Sequence, residues 1–579
     1  MKDRKSLLYV MVGFLAFAWW EAWRQDNAEI KTESAGQQVV ALQIDDASVD
    51  SSVEGRRQRH ALSVMPSSLL STGNVAGSAV DGRHQRAVVT VRTDLIEATI
   101  NLRGGNIEEL KLLKYPQKLD SKQSVQLLSN AGEHLYVTSS GFSGNGSGSN
   151  GGFDTDSLLF SSERADYELG SDGQLVVSLQ ALDEQGVKYT RSYTFEADKY
   201  AIRVHNRLDN HSQQSWQGRF YAAISRHFDK EKSSFVGVNS YTGAAISSPD
   251  RPYHKVTFKE LGENSERDSY SLGEAAGGWV AFQQRYFLSV WIPPSDQAFD
   301  YFGYLRDQIG NVGFYSSPLS VSAGDSYQTE ATLYVGPELI EQLAPLAKGL
   351  DRTVDYGWLW IISNLFFQIL QQLHKWIGNW GVCIIVVTIL IKVAFYKLSE
   401  NSYRSMARMK QLAPKLNDLK KRYGDDKQAL SQATMELYRK EGVNPLSMGG
   451  CLPMLVQIPF FIAFYYVLSN AIEFRQSPFV WWIKDLSDKD PYYVLPVLMG
   501  ISMWLQQKLS PSTVVDDSQA KAMMLMPVIF TAMFINFPSG LVLYWLVNNL
   551  LSIAQQWYIN RRVDRDGAMR VVETRKRRK

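Results

Sequence analysis

Two hydrophobic periods divide the chain. From about Ala87 to Pro337 apolar and polar residues alternate over short runs. AVVTVRTDLIEATINLRGG (87–105) closes on Gly104-Gly105, and YTRSYTFEADKYAIRVHNRLDN (189–210) and GWVAFQQRYFLSVWIPP (278–294) are longer and rich in aromatic residues. A period of two with turn residues between runs predicts a β-sandwich. GFSGNGSGSNGGFD (141–154) predicts a flexible loop, and Pro337 to Arg352 a helical connector, so the domain is expected over 87–350.

Beyond residue 351 the period changes. DYGWLWIISNLFFQILQQLHKWIGNW is amphipathic, with polar breaks at Ser363, Asn364 and Gln368, and predicts an interfacial helix over 351–377. Five apolar segments follow, near Gly378–Leu398, Cys451–Ile472, Tyr492–Leu509, Ala522–Phe537 and Gly540–Ile559. A sixth, Leu7 to Trp23, opens the chain behind Lys2, Arg4 and Lys5. Ala16-Phe17-Ala18 offers a signal-peptidase pattern, but the run continues through Trp19, Trp20 and Trp23, which favours an uncleaved anchor. The fold class expected is therefore a multi-domain membrane protein: a β-sandwich outside the membrane and an α-helical bundle of six transmembrane helices. Several segments are short for a full crossing, which implies a locally thinned bilayer.

Composition adds one region and little else. Residues 24–86 lack Phe, Tyr and Trp altogether and read as a flexible tether. Net charge is only +2, but its distribution sets an orientation. Ser399 to Gly450 carries ten Lys or Arg and the tail after Ile559 carries nine, whereas the loop from Glu473 to Pro491 carries three. The positive-inside rule puts both termini, 399–450 and the tail 560–579 in the cytoplasm, and the β domain in the periplasm. The 399–448 stretch predicts a helical hairpin, with Gly424 ending the first helix and Asp425 capping the second with Gln428. It is either a solvated connector or a docking surface for a polypeptide or ribosome. Cys383 and Cys451 fall near opposite membrane faces, so no pairing is expected.

The chemistry centres on Lys392, inside VTILIKVAFY (387–396). A charge there is costly unless it faces a bundle interior or a wet cavity. Snorkelling toward the cytoplasmic end is the plainer alternative. Thr388 lies one turn earlier on the same face. Gln457, Asn536, Asn548, Asn549, Gln555 and Gln556 add polar groups to other segments, each alternatively an interhelical hydrogen bond. No acidic residue falls inside the five later segments, so the carboxylate relay of a proton-coupled transporter is missing there. Eight histidines form no metal spacing, and no nucleophile-elbow or phosphate-loop motif is found, so neither enzyme chemistry nor a cofactor is expected.

Several longer stretches carry a family resemblance. TVDYGWLW (353–360), GDDKQALSQ (424–432), GGCLPMLVQIPFFIAFYYVL (449–468), DPYYVLPVLMG (490–500), MPVIFTAMFINFPSGLVLYW (526–545) and RTDLIEATINLRGG (92–105) resemble the YidC-type membrane protein insertases of bacteria with an outer membrane. The resemblance implies five core helices (378–559) around a hydrophilic groove, open to cytoplasm and lipid and closed toward the periplasm. It implies that Lys392 is the groove charge, where the family usually has arginine, and that Thr388 is the groove threonine. Trp545, after Tyr544, stands where the family often has a second tyrosine, and NPLSMGG carries a small insertion. The groove set is then Lys392, Thr388, Gln457, Tyr544, Trp545 and Asn548. The implied partners are nascent membrane proteins, Sec translocon components and lipid, with the ribosome a candidate at the hairpin and basic tail; nothing points to DNA. The β domain resembles a sugar-mutarotase-like sandwich without implying sugar catalysis. The competing readings are a polar-groove transporter or flippase, and an enzyme in the outer domain built on a histidine–carboxylate cluster.

Overall fold

Where one face of a strand is buried and the other wet, side chains alternate, and two neighbouring strands obey this strictly. Val187–Glu196 and Ala201–Asn210 bury every second residue and pair antiparallel, with Tyr193 opposite Val204. In the computed structural model they lie inside a nine-stranded sheet. The structure describes residues 88–144, 153–228, 241–247, 251–263, 274–357, 359–424, 426–440, 451–509 and 517–576. The apolar segment Leu7–Trp23 and the tether 24–86 fall outside them.

The nine-stranded sheet runs, in spatial order, His254–Val256, Gly243–Ser247, Trp279–Gln284, Phe287–Ile292, Ser326–Pro337, Ala201–Asn210, Val187–Glu196, Gln174–Leu182, Ser161–Ser162. A seven-stranded sheet is centred on Trp216–His227, flanked by Tyr136–Gly144 and Ile309–Ser316. A five-stranded sheet holds Val88–Arg92, Ile96–Asn101 and Asn106–Pro116. Trp291 Nε1 donates to Ala223 O at 3.1 Å and Tyr136 Oη to Phe282 O at 3.1 Å, linking the two larger sheets. The sandwich expectation holds. Trp279–Gln284 and Phe287–Ile292 differ from it locally: they are buried on both faces, because they are central strands covered on each side. The expected loop 141–154 is also narrower, since Gly141–Gly144 continue a strand and Phe153–Asp154 pair back to it.

The connector holds one short helix, Ile340–Leu343, and a 3-10 turn, Leu350–Thr353. Gly357 (φ +66°) then lies flat against the Tyr466 ring, where a Cβ would come within 2.5 Å. Helix α1 (Trp360–Ile377) buries Ser363, Phe366, Phe367 and Leu370 and exposes Trp360, Ile361, Leu365 and Trp376. Its polar break at Ser363 turns inward, donating to Ala463 O at 3.2 Å. Then come α2 (Trp380–Ala394), α3 (Tyr396–Tyr423), α4 (Lys427–Lys440), α5 (Cys451–Asn470), α6 (Val494–Leu509), α7 (Asp517–Phe534) and α8 (Ser539–Lys576).

The helices depart from the expected segments in three places. The run Gly378–Leu398 is not one helix, because α2 ends at Ala394 and α3 leaves at a 63° bend. Asp426 caps α4, its carboxylate accepting from the backbone N–H of Gln428 and Ala429; the expected cap, Asp425, lies outside the described residues. The expected tail continues α8 as helix to Lys576. Among the described residues no single helix is both long and apolar enough to cross a membrane alone; Trp380–Ala394 with Tyr396–Arg404 is, as a bent pair. The count of six spans is therefore not fixed by helix length.

The loop after α5 joins the two parts. Ile472 packs into the β-domain core, Arg475 donates to Pro116 O at 2.7 Å, and Asn470 Nδ2 to Asp355 O at 2.7 Å. Two acids lie near this junction, Glu338 buried and Glu473 half-buried. Burial pushes Glu338 up to about 8, against an opposing hydrogen bond from Gln283, and pushes Glu473 up to about 7. Both bind protons more tightly folded than unfolded. Their contribution is therefore full below the ordinary 4.5 and is lost as pH rises through about 7 and 8. Thermal unfolding of the detergent-solubilised chain should show a midpoint that falls from mildly acidic to mildly alkaline pH. Glu338→Gln should flatten that slope, and an unchanged slope would refute the assignment.

Candidate functional site

A helix in water keeps its polar residues outward, and here α2 and α8 bury polar side chains among apolar ones while leaving other apolar ones exposed. On α2 the buried positions include Thr388 and Lys392, while Ile389, Leu390 and Val393 are exposed. On α8 Asn549, Ser552 and Gln556 are buried at helical spacing, while Leu550, Trp557 and Tyr558 are exposed. Helices α6 and α7 also expose apolar rows, Val497, Leu498, Ile501, Trp504 and Leu505 on one, Met524, Leu525, Val528 and Ile529 on the other. So much contiguous apolar surface is far beyond what a water-soluble monomer shows.

Helix α8 packs against α2, α3, α5 and α6, so its buried stripe faces the bundle interior. Lys392 is 7% exposed and its Nζ donates to Ser552 Oγ at 2.7 Å. Ser552 Oγ in turn donates to the Asn548 carbonyl, one turn back, at 2.7 Å. The Asn548 amide meets Gln457 Oε1 on α5 at 3.5 Å, the long end of hydrogen bonding. Asn549 Nδ2 donates to Ser502 Oγ on α6 at 3.1 Å. Lys392 therefore lies buried in the bundle, its ammonium on Ser552 of α8. Among the described residues no carboxylate pairs with it.

The six groove candidates separate into three kinds. Lys392, Asn548 and Gln457 form a polar line across α2, α8 and α5. Thr388 shares the buried face of α2, but its hydroxyl donates to Ile384 O of its own helix. Tyr544 and Trp545 belong to an aromatic layer instead. Tyr544 stacks on Phe464 with ring centroids 4.7 Å apart, and Trp545 meets Phe461 edge-on at 4.8 Å and packs with Phe530 and Phe534. The layer lies about one turn, ~6 Å, from Asn548 along α8, on the side of the loop 478–490. The sequence reasoning missed Ser552 and Ser502. The one available signal was spacing, since Ser552 follows Asn548 by four residues and so shares its face.

The β domain has a separate cleft of about 790 Å³, lined among others by His205, Asp296 and Glu330. His205 and Glu330 are register partners on neighbouring strands. The cleft is open and both carboxylates are exposed, so it lacks the water exclusion in which acid–base groups work best. Among the described residues no group of three potential metal ligands occurs.

Helices with apolar outer faces and an inward polar line, joined to a large β domain, define a membrane-embedded protein with a domain outside the bilayer. The family model "60Kd inner membrane protein" matches residues 372–566 and "YidC periplasmic domain" matches 88–369. A membrane protein insertase YidC from Coxiella burnetii is 47% identical over 468 residues, 79% of this chain and 80% of the relative. One from Stutzerimonas stutzeri is 41% identical over 580 residues, 97% and 99% of the two chains. An active YidC insertase crystal structure aligns with TM-score 0.37 at 17% identity, over 82% of this chain and 93% of that one. The chain belongs to the YidC family of membrane protein insertases, inner-membrane proteins with a periplasmic domain.

A buried cation without a carboxylate costs stability that an apolar chain of similar length does not. Lys392→Met should leave the thermal midpoint in detergent unchanged or raise it by a few degrees. A lower midpoint would show that the Ser552 bond outweighs the desolvation of the ammonium.

Proposed function

We propose that this chain inserts newly made membrane proteins into the inner membrane and helps them fold, through a hydrophilic groove that Lys392 makes positive. One observation carries the reading: a buried ammonium, held by a hydroxyl and matched by no carboxylate among the described residues, lies between helices whose outer faces are apolar. Such a charge attracts an anionic guest that stays only transiently. A client enters hydrophilic end first. The positive polar line lowers the cost of bringing a short, often acidic segment partway across. The client's apolar helix then leaves sideways into lipid, driven by its own burial. The aromatic layer of Tyr544, Trp545 and Phe464 closes the groove toward the β domain. No covalent step and no nucleotide is required.

The topology proposed with it has six spans and both termini in the cytoplasm, following the excess of Lys and Arg in 399–450 and in the tail. The hairpin of α3 and α4, with the basic end of α8, is placed to receive a ribosome or its nascent chain. The β domain serves as a scaffold or a surface for Sec translocon components. A transporter or flippase reading predicts alternating access to both sides. The carboxylate relay that proton-driven alternation uses is absent from the five later apolar segments.

The test is insertion of a small client with an acidic outer tail into liposomes holding the full-length chain, read by protease protection. Wild type should protect the tail, Lys392→Ala should lose most of that protection, and Lys392→Arg should keep it. Full activity of Lys392→Ala would reduce Lys392 to a snorkelling residue. No protection by wild type over empty liposomes would remove the autonomous-insertase reading.

A further inference from the structure

Ser552 lies on α8 between two polar pairs, Asn548-Asn549 and Gln555-Gln556, buried at 4% exposure, where a serine has no local advantage as a helix former. Its hydroxyl has two bonds of opposite sense. The proton is committed to the Asn548 carbonyl, four residues back. The oxygen lone pairs are thereby left to accept, and they accept from Lys392 Nζ. The Tyr403 phenol borders the same hydroxyl. We infer that Ser552 is a positioning residue that holds the Lys392 ammonium on the inner, client-facing line of the bundle and so sets the preference for acidic client segments. This rests on the groove reading above and deepens it.

The geometry explains why positioning is needed. Lys392 lies two residues before the end of α2, where the chain bends by 63° into α3. A four-carbon stem there is free to carry its charge toward the cytoplasmic surface, where the basic face of α3 begins. A fixed acceptor on α8 opposes that. Because Asn548 also reaches Gln457, one turn of α8 ties the cation of α2 to the polar side chain of α5. Without the Ser552 acceptor the charge is still present, but nothing on α8 directs it inward.

The full-length chain in liposomes is assayed with two clients that differ only in their outer tails, one acidic and one with the acids replaced by amides. Ser552→Ala should lower insertion of the acidic-tail client about tenfold, the scale of one lost hydrogen bond to a charged group, and leave the amide-tail client unchanged. Ser552→Thr keeps the hydroxyl and its back-bond and should restore wild-type preference. In a Lys392→Ala background Ser552→Ala should add nothing. Equal losses for both clients, or no rescue by Thr, would make Ser552 merely structural and overturn the inference, as would an unaltered preference in Ser552→Ala. Thermal midpoints of each variant separate misfolding from lost selectivity: a tenfold loss with a wild-type midpoint supports positioning, and a loss that tracks the midpoint overturns it. If Lys392→Ala itself inserts the acidic-tail client normally, the groove reading fails. If Lys392→Ala is defective and Ser552→Ala is not, only the role of Ser552 falls.

Discussion

Removing an ammonium from water without an opposing charge costs several kcal/mol or more, and the helical half of this protein is organised around that constraint. Lys392 cannot be buried among aliphatic side chains, so its surroundings must supply oxygen. They do so through Ser552, whose own acceptor is a backbone carbonyl, and through the amides of Asn548 and Gln457 beyond it. Serving Lys392 makes α8 turn a polar stripe inward beside its buried Leu541 and Val542, while Leu550, Trp557 and Tyr558 stay exposed. On α2 likewise Thr388 and Lys392 are buried beside Ile384 and Val387, while Ile389, Leu390 and Val393 are exposed. A bilayer tolerates such helices, and water does not.

The second constraint is mechanical. A β domain of three sheets must hold a fixed place relative to short helices, and the loop after α5 makes the joint. Its ties differ in kind. Ile472 inserts into the β-domain core, which is worth more than the exposed Lys484–Asp120 pair at 3.1 Å. Arg475 reads two backbone carbonyls, Pro116 and Gln117, and stacks over Phe287. Lys255 pairs with Asp355, whose carbonyl accepts from Asn470. Desolvation of Glu473 in the same loop favours its neutral form, so the joint is tighter where that acid keeps its proton.

The sequence is legible where one physical preference dominates. Strict alternation located Val187–Glu196 and Ala201–Asn210, and the amphipathic run located α1. Legibility fails where context decides. Trp279–Gln284 looks half-buried by alternation but is covered on both faces by its neighbours. The cap of Asp426 on α4 lies one residue beyond the expected position, a register that no composition rule resolves. Polar residues inside apolar segments were visible as a set, but not their partners. Tyr544 and Trp545 are adjacent to that set in sequence, yet pack into an aromatic layer one turn away. Ser552 was legible only as the residue one turn after Asn548, and its role stayed hidden until the lysine opposite was placed.

The resemblance implies arginine as the usual residue at position 392, and the surroundings here suit a lysine. A guanidinium presents five donors in a planar fork and is satisfied by paired acceptors such as a carboxylate. An ammonium is a point charge with three donors that rotate about one bond. The protein offers one well-placed hydroxyl oxygen, at 2.7 Å, and the described residues show no second acceptor bonded to Nζ. One bond is enough to aim an ammonium, and it leaves two of its three donors for the acidic client segment proposed above. The same single oxygen would hold a guanidinium by one corner, with its plane free to turn. On the proposed groove reading, lysine at 392 and serine at 552 thus form a matched pair in which aim is fixed by the protein and most of the hydrogen-bonding capacity is kept for the guest.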